Sequence, residues 1–311
     1  MTGTTDTAGE TSTTHELRGI EPDNLLAFLA LLGLLRALET AQPDWGPRAS
    51  WRGRPPMAAL HLAGPAERDK ISEVADRGIR RLAGAYLFDK KNVTFTAEEF
   101  RAYAKRVRND PERARVLAAL ASDGALKRGD DVVEPTPLCA MLGQGHQDFL
   151  SRLAATATRD EPHNATDLSR ALFETWRYED NSESFRWDPI EDRRYAHQFG
   201  DPSESRNKIG TVSGANRLAA IGFAALTSAP AGSGLATLGV AGPRRERDIC
   251  WPLVALPTSL AGYLALLTHP WLGNPNEAPA LAAYGVLAVA RARRFQVGKF
   301  FNFERAKVQY L

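Results

Sequence analysis

Cysteine is scarce in this chain of 311 residues: Cys139 and Cys250 are its only two, far apart and in no CxxC pair. No disulfide framework is expected, and the composition suits a reducing cytoplasm. The six histidines (His15, His61, His146, His163, His197 and His269) never fall at metal-ligand spacing, so neither zinc nor any other cofactor is expected. GxSxG, HExxH and kinase signatures are missing. The glycine turn at Gly143–Gly145 has the spacing of neither a P-loop nor a dinucleotide fingerprint. Long apolar runs are missing too. Leu25–Leu35 holds eleven residues, closed by Asp23 and Arg36, which is too short to cross a bilayer, so no membrane contact is expected. Residues 2–14 are rich in threonine without an apolar core, which reads as a disordered leader and not as a signal peptide. No internal repeat is visible.

What is present describes a helix-dominated α+β protein with a buried N-terminal helix, short strands and a long irregular central region. Apolar residues make up 43% and charged residues 24%, ordinary for a chain long enough to bury a sizeable core. Three segments are expected: a leader (1–16), an N-terminal subdomain (17–135) and a C-terminal subdomain (136–311) carrying an arginine-rich central loop. Asp23 or Asn24 caps a first helix running to about Thr40, apolar on nearly every side and therefore internal. Gly33 in its middle fits a close backbone neighbour.

Strands are expected near 49–52 and 58–62, and a helix over 66–88 with Ile71, Val74, Ile79, Leu82 and Leu87 facing inward. Val93–Phe95 reads as a strand. Thr96 and Glu99 form a capping box for a helix, or a pair broken at Pro111, reaching Leu120. Residues 122–137 read as a polar break. Helices follow at 147–158, 166–178 and 214–226, then a turn at 229–234 and a strand over 250–256. Another helix ends near Leu267. A helix over 278–291 and a strand over 293–303 close the chain.

The segment from Phe185 to Phe223 mixes arginines, aromatics, turns and glycines without apolar periodicity, as functional loops do. Arg186, Arg193 and Arg194 match phosphate oxygens, while Trp187 and Tyr195 stack on bases or brace the loop. Equally, Asp188, Glu191 and Asp192 can neutralise those arginines on a solvated surface. Ser213–Leu218 opens a helix whose free amides can receive an anion, with Asn216 and Arg217 in the first turn; an ordinary helix entry capped by Ser213 fits as well. Residues 291–307 set six cations, Arg294 and Lys299 among them, against Glu304 and interleave them with phenylalanines. That pattern suits single-strand binding, and suits equally a terminal strand with its phenylalanines facing the core. The basic stretch 101–128 reads as a solvated helix face. Asp188, Glu191, Asp192, Asp201 and Glu204 also offer hard oxygen ligands for magnesium in a nuclease.

Leu17–Asn24 with the following LLAFLALLGLLRAL resembles the N-terminus of CRISPR-associated proteins of type I-G (formerly I-U) systems. Arg186–Pro189, Asp192–Ala196, Asp201–Ser203 and Gly214–Ala219 resemble their central signature. Gly145–Leu150 and Val297–Phe300 are similar to further pieces, in the same order, from about residue 17 to 303. The group includes large-subunit-like proteins of the crRNA-guided surveillance complex and a family associated with the helicase-nuclease. The resemblance implies a non-catalytic subunit that contacts crRNA or target DNA and other complex subunits, reads the short flanking motif and recruits the helicase-nuclease, while guide pairing reads sequence. Alternatives from other classes are an assembly protein that touches no nucleic acid and a metal-dependent nuclease.

Overall fold

Helix α1 (Leu25–Ala41) is the axis of the molecule. The Asn24 side chain accepts from Ala27 N at 3.3 Å and caps its first turn. Every residue of the helix is buried except Glu39 and Thr40, so it meets protein on all sides. Its main partner is α7 (Ser213–Phe223), all of whose residues are buried. The two cross at glycines: a Cβ on Gly33 would collide with the Leu218 carbonyl, and one on Gly222 with the Leu29 carbonyl. The helix-propensity cost of Gly33, roughly 1 kcal/mol, is thus offset by a backbone approach that no side chain permits. A computed structural model describes residues 12–140, 148–182, 184–191, 210–232, 234–243, 246–297 and 300–311.

The architecture is mixed α+β with short sheets. Strands β1 (Ser12–Glu16), β2 (Arg48–Arg52) and β3 (Met57–Ala63) form an antiparallel sheet in the order β1-β3-β2. The first of these corrects the expected leader: residues 12–16 pair with 59–63, and residues 1–11 lie outside the described part. Helix α2 (Arg68–Ala83) packs on α1, with Gly78 against the Ala37 carbonyl. The predicted inward face holds for Ile71, Val74, Ile79 and Leu82. Leu87 is 51% exposed, because the helix has ended four residues earlier and the period no longer applies.

Val93–Phe95 is not a strand. It runs beside residues 131–133, with one isolated bridge from Thr96 to Val132, and buries Val93 and Phe95. The capping box on α3 (Ala97–Val107) is formed as expected, and Pro111 opens α4 (Pro111–Leu120). The polar stretch after it is a hairpin, β4 (Ala121–Leu126) with β5 (Val133–Pro135). Buried residues on both sides of the expected boundary near 135 join one apolar cluster reaching from Leu17 to Ala306.

Helices α5 (Phe149–Thr158) and α6 (Asn164–Phe173) follow; α6 is shorter than its periodicity predicts. The turn expected over 229–234 lies within a hairpin of β6 (Ser228–Ala231) and β7 (Gly234–Thr237). The last sheet joins β8 (Val240–Ala241), β9 (Asp248–Val254), β10 (Val286–Val297), β11 (Phe300–Phe303) and β12 (Lys307–Tyr310), and α8 (Leu260–Leu267) is capped by Ser259. The helix expected over 278–291 is replaced by a short 3-10 segment (Ala278–Tyr284). It stops at Gly285, where φ is +77°, and β10 begins. A short apolar run does not distinguish a buried helix from a buried strand, and the ladder offered by β9 decides. Among the described residues, no helix is long and apolar enough to cross a membrane.

Candidate nucleic-acid interface and a polar cleft

The fold sorts the candidate residues into two places. Arg186 and Arg294 each contact β11, at the consecutive residues Asn302 and Phe301. Arg186 holds a left-handed backbone (φ +61°), sparsely populated for a non-glycine residue, and its Nη1 donates to Asn302 Oδ1 at 3.3 Å. The Arg294 guanidinium, carried by β10, lies 3.5 Å from the centre of the Phe301 ring. Burial lowers the Arg294 pKa to about 10, with Arg247 pushing the same way, and its Nε has no hydrogen-bond partner among the described residues. It is still a cation at neutral pH. Arg293, next along β10, is exposed. Lys299, Arg193, Arg194 and Tyr195 lie outside the described residues.

Trp187 is turned inward. It is fully buried, its Nε1 donates to the Leu138 carbonyl at 2.8 Å, and its ring stacks on Phe185 (4.5 Å) and Phe223 (5.8 Å). No face remains for a base; of its two expected roles, bracing fits this position and base stacking does not. Each such aromatic pair is worth about 1 kcal/mol beyond area.

Asp188 is buried as well. It accepts from Ile190 N at 3.0 Å and from Asn24 Nδ2 at 3.2 Å, which ties the central segment to the cap of α1. Burial raises its pKa above the ordinary carboxylate range, against the hydrogen bonds of Ile190, Tyr178 and Asn24. A carboxylate held this way faces no solvent metal. Glu191 accepts from the Ser184 hydroxyl, and Asp192, Asp201 and Glu204 lie outside the described residues. Among the described residues, no three His, Cys, Asp or Glu side chains group to hold a metal.

Asn216 and Arg217 stand at the start of α7, away from β11. Asn216 is 4% exposed and its Nδ2 donates to the Val212 carbonyl. Arg217 is 1% exposed; its Nη1 pairs with Asp76 at 2.8 Å and its Nη2 donates to the Arg159 carbonyl at 3.1 Å. A phosphate contact from this guanidinium is therefore replaced by a carboxylate of its own chain.

Both residues line a cleft of about 820 Å³ between α5, α6, residues 179–182 and the first turn of α7. In it Asp167, 3% exposed, accepts from Arg170 at 2.6 Å and from Arg159 at 3.2 Å. Asp180 accepts from Ser213 N at 2.7 Å and so caps α7 from outside the helix. The remaining acids, Glu161 and Glu179, are exposed. Sequence reasoning singled out Ser213, Asn216 and Arg217 but passed over the charged residues from 159 to 180 that share the cleft with them. The only trace is the dense charge between 159 and 180, which matches no motif because its members come from four separate elements.

No family model matches the chain, and neither a curated protein nor a solved structure similar to it was found.

Proposed function

We propose that the chain is a non-catalytic, nucleic-acid-binding subunit of a type I-G CRISPR interference complex, meeting crRNA or target DNA through the β10–β11 hairpin. One observation carries this reading. Arg186, from the segment that resembles the family's central signature, and Arg294, from the basic C-terminal stretch, both contact β11, at the consecutive residues Asn302 and Phe301, and Arg294 lies over the Phe301 ring. Guanidinium groups beside aromatic faces suit unpaired nucleotides, whose phosphates and bases they meet together. Arg217, Trp187 and Asn216 take no part in this interface.

The test is binding of single-stranded RNA and DNA by Arg186→Gln with Arg294→Gln, followed by fluorescence anisotropy over a salt series. Each lost phosphate contact lowers the log–log salt slope by roughly 0.7 to 0.9. A well-folded double variant with unchanged affinity and slope sinks the interface. The complex itself is tested by co-purification with guide-backbone subunits and identification of the bound nucleic acid.

An assembly protein is the second reading, favoured by one fact: the guanidinium groups of the α7 cleft are occupied by the chain's own carboxylates.

A further inference from the structure

We propose that the α7 cleft is a docking pocket for a basic side chain on an extended segment of a partner protein. The proposal goes beyond the nucleic-acid reading and does not depend on it.

The charges of the cleft are unevenly used. Its three arginines are engaged: Arg159 and Arg170 share Asp167, and Arg217 holds Asp76. Asp180 accepts from Ser213 N and stands 3.7 Å from Arg170. Glu161 and Glu179, at the exposed part of the lining, have no ion pair or side-chain hydrogen bond among the described residues. The uncompensated charge is therefore negative. A polyanion would meet two free carboxylates and no free guanidinium, whereas a lysine or arginine side chain would meet complementary charge.

Two buried residues of the lining carry unmet hydrogen-bonding groups. Ser213 is 3% exposed and its Oγ has no partner among the described residues; Arg217 is 1% exposed and its Nε has none either. A buried group left unpaired destabilises the free protein, and a bound ligand that supplies its partner removes that cost. A hydroxyl accepts or donates, and Nε donates only. A ligand that satisfies the whole site brings a cation for the two glutamates, an acceptor for Arg217 Nε and a polar group for Ser213. A peptide carries these together, in a basic side chain and its backbone amides. The cleft volume of about 820 Å³ admits a few residues of an extended segment.

The experiment titrates the full chain with a short acetylated and amidated peptide bearing one central arginine, followed by NMR shifts of the labelled protein. The citrulline peptide and a single-stranded oligoribonucleotide run in parallel. The arginine peptide is expected to shift signals of residues lining the cleft. Its affinity should fall roughly tenfold in Glu161→Gln/Glu179→Gln, and not in the control Glu98→Gln, an exposed acid on α3. Ser213→Ala reports on the hydroxyl contact and should weaken the peptide while leaving RNA affinity unchanged. Equal binding of the citrulline peptide, equal loss in the control, no shift at the cleft, or displacement of the peptide by the oligoribonucleotide each overturns the proposal. Failure of the nucleic-acid reading shows separately, in the salt slope of the β10–β11 variants.

Discussion

Two buried arginines, Arg217 in the N-terminal half of α7 and Arg36 of α1 packed near its C-terminal end, have been handled differently. Arg36, on α1, donates to the Tyr86 hydroxyl at 2.7 Å, to the Ile221 carbonyl at 2.9 Å and to Glu112. Burial alone would lower its pKa, yet Tyr86 and Glu112 together raise it above the ordinary arginine value. Arg217 has its pKa lowered by burial, which Asp76 only partly offsets while Arg159 and Arg80 add to the lowering. Its Nε is left over. The first arginine is a closed structural joint. The second borders a cleft and is incompletely satisfied, the condition under which a ligand adds something. Burial of a charged side chain therefore does not by itself mark function; the unmet part of its hydrogen bonding does.

That contrast can be broken at several points. The largest effect is expected where both arginines depend on the same helix crossing. Gly33→Val drives α1 from α7 and should cost about 3 kcal/mol, read as a lower denaturant midpoint. Arg36→Met comes next. It removes the donor serving Tyr86 and Glu112, and a loss of about 3 kcal/mol or slightly less is expected, since half-exposed Glu112 regains water. Arg217→Met should cost only about 1 kcal/mol, because Asp76 keeps Arg80 at 2.7 Å as a second partner. If Arg217→Met proves as damaging as Arg36→Met, the distinction between a closed joint and an open site fails.

A pH profile sharpens the picture at Asp188. Its folded pKa is raised above the ordinary aspartate value of 3.8, so its protonated form favours the fold. Stability from this group is complete below that value and is lost as pH rises through the raised one. Asp188→Asn should remove this loss, and a wild-type and variant pair whose stabilities run parallel across that window would refute the assignment. The smallest effect is expected at Leu87, which the periodicity of α2 places inward and the fold leaves exposed: Leu87→Ser should shift stability by no more than about 0.5 kcal/mol.

Local signals were legible wherever chemistry is local. The apolar surround of α1, the Thr96–Glu99 box and the break at Pro111 need only neighbouring residues, and all are formed. The central segment was legible as unusual, but not in its division of labour. Trp187 and Asp188 go inward because Phe223 and Asn24, far away in sequence, supply their partners. Arg186 reaches Asn302, and Arg294 lies over Phe301, only because β10 and β11 fold back on each other.

From its amino acids alone the chain is committed to a helix-dominated α+β core around α1, since helix entry, capping and burial follow from periodicity and from side chains within one turn. Which end of α7 is sealed and which borders a cleft, and whether 286–291 is helix or strand, were decided by tertiary packing. Those outcomes turn on pairing partners up to 185 residues apart, as Arg36 and Ile221 are, and no local pattern encodes which of several competing partners a buried charge or an apolar run will meet.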